Sequence, residues 1–174
     1  MSVPRWTPPT EPTKQEEWLL KRLERTKKLF AFLRRHRHEL FDEAFQVELS
    51  GMYRQNGEGK VPVPPALMAM AVLLQAYVGA SDAEAVELTM VDARWQLVLG
   101  RLGETEPAFS QGALQAFRQR MIAHDMDRRL LERTAELAKG RGGFDHKKVT
   151  VQQSTPREDR RNERSCARGE QARA

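Results

Sequence analysis

The sequence predicts an all-α domain followed by a tail of low hydrophobicity. Apolar residues recur at intervals of three and four through most of residues 13–140, which is the period of amphipathic helices. Capping residues and glycines divide these stretches into separate helices. Nowhere does the alternating strand–helix pattern of a parallel sheet appear. We therefore expect a multi-helix domain with a helix-turn-helix-like portion and a disordered basic C-terminal tail.

Composition divides the chain into three parts. Residues 1–12 contain four prolines and little that is apolar, which predicts a disordered leader. Residues 13–140 form the predicted helical domain. Residues 141–174 start with Arg-Gly-Gly, and from residue 152 onward they hold six arginines, four acids and almost nothing to bury. We therefore expect a hinge and a disordered Arg-rich tail.

One long helix is predicted from Thr13 to about His38. Thr13 and Glu16 have the spacing of a capping box. A rough apolar stripe follows through Trp18, Leu19, Leu23, Phe30 and Leu33. The end of the segment is strongly basic, with Arg34, Arg35 and Arg37. Cations are favoured near a helix C-terminus, which explains the cluster structurally, and contact with phosphates is the functional alternative.

The middle of the chain predicts a second helical segment over 40–54 and then a buried central helix. Residues 66–74 are apolar on nearly all sides, as expected of a helix surrounded by others. Proline is tolerated in a first helical turn, so Pro64 and Pro65 mark its start, and Gly79 marks its end.

Three shorter signals follow the central helix. Ser81 and Glu84 form a second capping-box pattern. Residues 92–100 read as a short helix closed by glycine. A loop is expected over 101–109, and a last helix over 125–139 with Gly140 as its stop.

The helix predicted at Ser110–His124 is the leading functional candidate. Ser110 is a good N-cap residue, and one apolar stripe is formed by Leu114, Phe117 and Met121. The polar face has no acid and comprises Gln111, Gln115, Arg118 and Gln119, with Arg120 at its flank. Arginine bonds guanine bidentately and glutamine bonds adenine in the same way. The face therefore suits a DNA groove, and an ordinary solvated helix face is the alternative.

Charge is distributed unevenly along the chain. Residues 1–60 hold 12 basic against 9 acidic side chains, residues 61–110 hold 2 against 6, and residues 111–174 hold 15 against 9. An acidic middle between two basic ends favours a polyanionic partner. Basic proteins that bind nothing anionic are the alternative.

Several functional classes find no support in the sequence. The P-loop, Rossmann glycines, HExxH and GxSxG signatures are absent. The four histidines lack metal-ligand spacing, so we expect no catalytic residue, metal or cofactor. Cys166 is the single cysteine, which rules out an internal disulfide. Together with the lack of a signal peptide or a membrane-length apolar run, this predicts a cytoplasmic protein without a membrane partner.

Several motifs follow one another in a fixed order through residues 61–121. They are Val63-Pro64-Pro65-Ala66-Leu67, then Tyr77-Val78-Gly79-Ala80-Ser81-Asp82, Arg94-Trp95, Leu99-Gly100, and finally Ser110, Leu114, Phe117-Arg118 and Arg120-Met121. In this order they resemble the N-terminal domain of bacterial insertion-sequence transposases of the InsH type. The resemblance implies a DNA partner, the terminal repeats of the element. In a DNA-binding domain of this kind, Gln111, Gln115, Arg118 and Gln119 are expected to approach bases, with Arg120 at the flank. Arg34, Arg35, Arg37 and the Arg-rich tail are expected to contact phosphates.

In such transposases the helical region precedes a catalytic domain whose three acids bind two divalent metals. The resemblance places the first of these acids at Gln153, before Ser154-Thr155-Pro156. An amide cannot replace a carboxylate as a metal bridge. We therefore expect a truncated transposase without catalysis, in which divalent metal belongs only to full-length relatives.

Two other readings stay open at the level of sequence. The domain can be a dimerisation module that forms a homodimer, or a mixed dimer with the full-length transposase, through the apolar helix 66–78. Alternatively, the chain can be the product of a decayed gene with no selected activity.

Overall fold

A computed structural model describes residues 3–53 and 61–141, all of which belong to one compact unit. Within these residues the chain forms eight α-helices and no strand, so the all-α prediction is confirmed. The predicted hinge and tail after Arg141, including Gln153, lie outside the described residues. The helices are α1 Lys14–Thr26, α2 Lys28–Leu40, α3 Glu43–Ser50, α4 Pro65–Val78, α5 Asp82–Val91, α6 Ala93–Leu99, α7 Gln111–Ala123 and α8 Met126–Gly140.

The single helix predicted from Thr13 to His38 is wrong, because the chain breaks at Lys27. The backbone of Lys27 leaves the helical region at φ −141° and ψ 64°, and α1 then packs against α2. Leu20 and Leu23 are buried by this packing, whereas Trp18, which was expected in the apolar stripe, is 64% exposed. No glycine or proline marks the break, so tertiary packing decides it. The Thr13–Glu16 capping box is present as predicted.

The segment predicted as helical over 40–54 contains a shorter helix. Leu40 still belongs to α2, and Asp42 starts α3 by accepting a hydrogen bond from the Phe45 N–H at 2.9 Å. The described part of the segment leaves helical structure after Ser50.

The expected disorder of the leader is wrong for residues 3–12. Trp6 is buried, with its ring edge-on to Phe41 at 5.7 Å. The Trp6 N–H donates to Gln46 Oε1 at 2.8 Å, and Gln46 Nε2 donates to the Trp6 carbonyl at 3.0 Å. This paired recognition fixes an extended segment on α2 and α3. Its prolines shape that segment and do not prevent it from being ordered.

Helix α4 lies in the core, as its composition predicts. Residues 65–71 are buried together with Leu74 and Gln75, and the helix ends at Gly79 in the left-handed conformation. Only its last turn exposes apolar side chains, Tyr77 and Val78. Most of its apolar surface is therefore used inside the domain, which weakens the interpretation of this helix as a dimer interface.

Helices α4 and α5 meet at 106° across residues 79–81. A three-residue turn containing glycine and an angle near perpendicular are the geometry of a helix-turn-helix. No single described helix is long and apolar enough to cross a membrane. Helices α4 and α5 meet that length and composition only when the bent pair is counted as one segment.

The remaining helices start and end close to where the sequence places them. The Ser81–Glu84 capping box opens α5, Asp92 caps α6, and Gly100 closes α6 in the left-handed conformation. Helix α8 covers Met126–Gly140, so Gly140 is its last residue.

Two buried arginines on α2 connect the N-terminal half to the core. Arg34 is 2% exposed and forms two hydrogen bonds to the Glu16 carboxylate, at 3.1 and 3.2 Å. Arg34 also donates to the carbonyls of Thr10 and Glu11. Planar bidentate pairing of this kind fixes the relative geometry of both partners, so it holds α1, α2 and the leader in one arrangement.

Arg37, also 2% exposed, has carbonyl partners where Arg34 has a carboxylate. Its Nη1 donates to Val98 O at 2.8 Å and Leu97 O at 3.2 Å, and its Nη2 donates to Pro9 O at 2.8 Å. The two α6 carbonyls lie at the negative end of that helix dipole. Burial, with a further contribution from Arg34, lowers the pKa of Arg37 to about 10, so the guanidinium remains charged at neutral pH.

Replacement of Glu16 tests the buried ion pair. We expect Glu16→Gln to lower the free energy of unfolding by about 3–5 kcal/mol, because Arg34 then stays buried without a countercharge. Urea denaturation at pH 7 measures this. Glu84→Gln is the matched control, since Glu84 occupies the same capping-box position in α5 but has no arginine partner among the described residues, and glutamine still caps. Equal midpoints for the two variants would contradict the assignment.

The same pair predicts an acid dependence of stability. Burial pushes the pKa of Glu16 up, but hydrogen bonds from Arg34 and from the Thr13 N–H outweigh it and hold the pKa below its ordinary value of 4.5. A carboxyl with a lowered folded-state pKa stabilises the fold above its unfolded pKa and loses that contribution as the pH falls. The wild type should therefore lose stability more steeply than Glu16→Gln from about pH 5 to 3, as measured by urea midpoints.

Gly100 tests the contact between the leader and α6. A Cβ at Gly100 would lie 2.9 Å from Pro8 Cβ and 3.2 Å from Arg37 Nη1. Gly79 has nearly the same φ, +72° against +71°, but nothing within 4 Å of such a Cβ. Gly79→Ala should cost about 1–2 kcal/mol of backbone strain, and Gly100→Ala about 1–3 kcal/mol more from overpacking. Thermal melts that gave equal losses would show that the leader does not pack there.

Candidate nucleic-acid interface

Helix α7 is anchored as the sequence predicts. The Ser110 hydroxyl accepts a hydrogen bond from the Ala113 N–H at 3.2 Å. The predicted stripe of Leu114, Phe117 and Met121 is fully buried, and α7 packs on α4, α5 and α8. The face opposite this stripe is therefore held outward on a rigid element.

Three glutamines occupy the outward face of α7. Gln111, Gln115 and Gln119 follow one another at intervals of four and are all exposed. Their amide groups make no hydrogen bond within the described part of the chain. The face ends at Ile122, whose side chain is also exposed. The amides are thus available to a partner, and each offers both a donor and an acceptor.

Arg118 is only partly available to a partner, because its guanidinium is paired within the domain. Its Nη2 donates to Asp82 Oδ2 at 2.6 Å and its Nη1 lies 3.4 Å from Gln75 Oε1. Gln75 in turn donates to the second Asp82 oxygen at 2.8 Å. The three side chains join α7 to the corner between α4 and α5, so Arg118 has a structural role first.

Arg120 lies at the flank of the glutamine face, on the side of Tyr53. Its guanidinium lies over the Tyr53 ring at 4.8 Å from the centroid, and the residue is exposed. Burial raises the pKa of the Tyr53 hydroxyl and the neighbouring Arg120 opposes this rise. A cation held on an aromatic ring in this way is positioned and still faces solvent.

The predicted phosphate contacts at the end of α2 are corrected by burial. Arg34 and Arg37 are both 2% exposed and are committed to Glu16 and to backbone carbonyls. Arg35 is exposed but pairs with Glu24. Among the three, only Arg35 has a guanidinium that faces solvent. The guanidiniums of Arg34 and Arg37 instead join α2 to α1, to α6 and to the leader.

The helix-turn-helix-like pair does not present a cationic second helix. Helix α5 carries Asp82, Glu84 and Glu87 and has no lysine or arginine. A helix of this charge is repelled by phosphates. The adjacent α7, with no acid between Gln111 and Ala123, is the better candidate for a nucleic-acid surface.

The described residues contain no cluster of side chains suited to binding a metal ion. No three His, Cys, Asp or Glu side chains of residues 3–53 and 61–141 lie close enough together to hold an ion.

A comparison with known protein families finds a match to this helical domain. A family model described as Transposase domain (DUF772) matches residues 20–120. The chain belongs to this transposase-domain family. The match runs from within α1 to Arg120 of α7, so it contains both buried arginines and the glutamine face of this transposase domain. No curated protein and no solved structure shows significant similarity to the chain.

The cations of α1 were not selected as a site from the sequence. Lys21, Arg22 and Arg25 lie within little more than one helical turn, and Arg34, Arg35 and Arg37 lie only slightly closer together in sequence. The structure reverses this ranking, because the dense cluster is buried or paired and the α1 cations are exposed. Trp18 was assigned to the apolar stripe from the sequence, and only the structure shows that it is exposed among these cations.

A double-mutant cycle between Arg118 and Asp82 tests the structural role of Arg118. The side chains are 37% and 19% exposed, so screening limits the pair to a coupling energy of about 0.2–1 kcal/mol. Arg118→Ala alone should lower the free energy of unfolding by a similar amount. Gln115→Ala, one turn away on the exposed face, should leave it unchanged. A coupling energy of zero would return Arg118 to the set of free contact residues.

Proposed function

We propose that this chain supplies the DNA-binding and assembly function of a bacterial DDE-type insertion-sequence transposase, by recognising the terminal repeats of the element. Membership of the transposase-domain family supports a role in transposition. The observation that carries the proposal is the outward face of Gln111, Gln115 and Gln119 on a helix whose other side is fixed in the core. A rigid helix with free amides is suited to the major groove, where glutamine bonds adenine through two hydrogen bonds.

In this proposal, the role of each side chain depends on whether it is free to contact DNA. The three glutamines approach base edges, and Arg120 contacts the flanking phosphates. Arg118 orients α7 through Asp82 and acts on DNA indirectly. Sequence preference then comes from hydrogen bonds at base edges, and position on the duplex comes from phosphate contacts.

The proposal includes the absence of strand cleavage by this chain. It is supported by Gln153, which stands where the family resemblance places the first metal-binding carboxylate. A purified chain incubated with terminal-repeat DNA and Mg²⁺ or Mn²⁺ should leave the DNA intact. Nicks at the element ends that require metal would contradict this part of the proposal and leave DNA recognition standing.

Assembly is proposed as self-association or as a mixed dimer with a full-length transposase. Light scattering coupled to size exclusion at micromolar concentration measures it for the isolated chain. A strict monomer with and without terminal-repeat DNA would remove the homodimer from the proposal.

If the glutamines read bases, removing them should reduce the preference for terminal-repeat DNA but not the affinity for DNA of any sequence. The triple variant Gln111→Ala, Gln115→Ala, Gln119→Ala should bind terminal-repeat DNA at least about fivefold more weakly, since one good bidentate contact is worth about 1–3 kcal/mol. Its affinity for scrambled duplex should not change. Fluorescence anisotropy with both duplexes measures this at fixed salt.

Gln15→Ala is the control for that variant, because Gln15 is an exposed glutamine on another helix. It should leave the preference intact. An equal loss of affinity on the two duplexes in the triple variant would contradict base reading by α7.

A further inference from the structure

The outward face of α1 is a continuous stripe of cations around one tryptophan. At about 100° per residue, its members fall within an arc of roughly 100° on the helix. All of them are exposed. The members of this α1 stripe are Lys14, Trp18, Lys21, Arg22 and Arg25.

The side of α1 that faces the protein is directly opposite the stripe. Leu20, Leu23 and Glu16 are buried there, and Glu16 is held by Arg34. The orientation of the helix is therefore fixed by both apolar packing and a buried ion pair. The stripe cannot turn inward without breaking that pair.

The cations of the stripe differ from most others in the described part of the chain, because none of them has a carboxylate within ion-pair distance there. Elsewhere most arginines that reach the surface are paired with a carboxylate, as Arg128 is with Glu132 and Arg129 with Glu48, whereas Arg120 lies on the Tyr53 ring. Further pairs are Arg5–Glu43, Arg35–Glu24, Arg94–Asp92, Arg101–Glu104 and Arg141–Glu39. Apart from Arg120 and Lys139, the exposed cations of the described residues that lack a carboxylate partner are thus concentrated on α1 and at the adjoining Lys27 and Lys28.

Trp18 adds a second, independent feature. Its side chain is 64% exposed, whereas the other two tryptophans, Trp6 and Trp95, are buried. A large aromatic left in solvent costs hydrophobic free energy, and tryptophan is enriched where proteins contact partners. Its position between free cations indicates a partner that is both anionic and partly apolar.

We propose that the α1 stripe binds the sugar–phosphate backbone of duplex DNA, with the cations on phosphates and Trp18 against the sugars. The inference rests on the proposed DNA-binding function and names the surface that supplies its affinity. From Lys14 to Arg25 the stripe spans roughly 16 Å at 1.5 Å per residue, which is about five base-pair steps of 3.4 Å. Lysine and arginine release condensed counterions when they neutralise phosphates, and this drives binding without reference to sequence.

The borders of the stripe indicate how α1 meets the duplex. Glu17 and Glu24 lie beside the stripe along one edge, by the helical period. Insertion into a groove would bring these carboxylates close to phosphates, which is unfavourable. Contact along a single strand keeps them outside. The stripe therefore positions the chain on DNA, and base reading belongs to α7.

Two charge-matched triple variants test the stripe in the full chain. The stripe variant is Lys21→Ala, Arg22→Ala, Arg25→Ala, and the control is Arg128→Ala, Arg129→Ala, Lys139→Ala on α8. Both remove three exposed cations from helices, and alanine preserves helix propensity. Circular dichroism confirms that both are folded. DNA affinity is then measured by anisotropy over a salt series, on terminal-repeat and scrambled duplexes.

The stripe variant should lower the slope of log K against log salt by roughly 3, at about 0.9 per lost phosphate contact. It should weaken binding to both duplexes by the same factor, tenfold or more, while the α8 control changes little. If the wild type binds and the two variants behave alike, the stripe is not the contact surface and the proposed function stands. If the wild type binds neither duplex at low salt, the proposed function itself fails, and the inference with it.

Trp18 fluorescence gives a direct readout of contact. DNA should shift the wild-type emission and protect it from iodide quenching, and Trp18→Phe should abolish both changes, since the other two tryptophans are buried. Vesicles containing anionic phosphatidylglycerol serve as the second probe. A shift with vesicles and none with DNA would overturn the inference in favour of a membrane surface. A change in oligomeric mass in the stripe variant would overturn it in favour of a protein interface.

Discussion

The buried guanidiniums of α2 determine how the N-terminal half of this transposase domain is assembled. Arg34 pairs with Glu16 and holds α1, and Arg37 donates to carbonyls at the end of α6 and to Pro9. These contacts join segments separated by up to 61 residues in sequence. Burying two like charges on one helix is unfavourable unless their donors find acceptors, and every guanidinium nitrogen of the two residues has one except Arg37 Nε. The leader supplies several of those acceptors as backbone carbonyls, and it is therefore ordered despite its composition.

The same constraint separates structural cations from functional ones. Arg34 and Arg37 of α2 are committed to contacts inside the domain, and Arg118 joins α7 to the α4–α5 corner. What stays available to a polyanion is the glutamine face of α7 with Arg120 and the stripe of α1. One surface offers hydrogen bonds that can distinguish bases, and the other offers charge that cannot. The proposed recognition of DNA ends uses both contributions, since charge favours binding to any duplex and base contacts select among duplexes.

Sequence reasoning succeeded where structure is decided locally. The caps at Thr13, Ser81 and Ser110 and the buried stripe of α7 depend on residues within one or two helical turns, so their spacing predicts them. It failed where long-range contacts decide. The break at Lys27 has no local signal, and the order of residues 3–12 depends on Gln46, some forty positions away. Basic residues are especially difficult in this respect, because the sequence shows their charge but not the carboxylate or carbonyl that neutralises it.

Chemical footprinting of the full chain by mass spectrometry tests this division of cations most directly. Arginine- and lysine-modifying reagents would be applied with and without duplex DNA. We predict that Lys21, Arg22 and Arg25 react readily in the free chain and are protected by DNA, whereas Arg34 and Arg37 remain unreactive in both samples until the domain unfolds. Reaction of Arg34 or Arg37 at the rate of Arg22, or an α1 stripe equally reactive with and without bound DNA, would contradict the account.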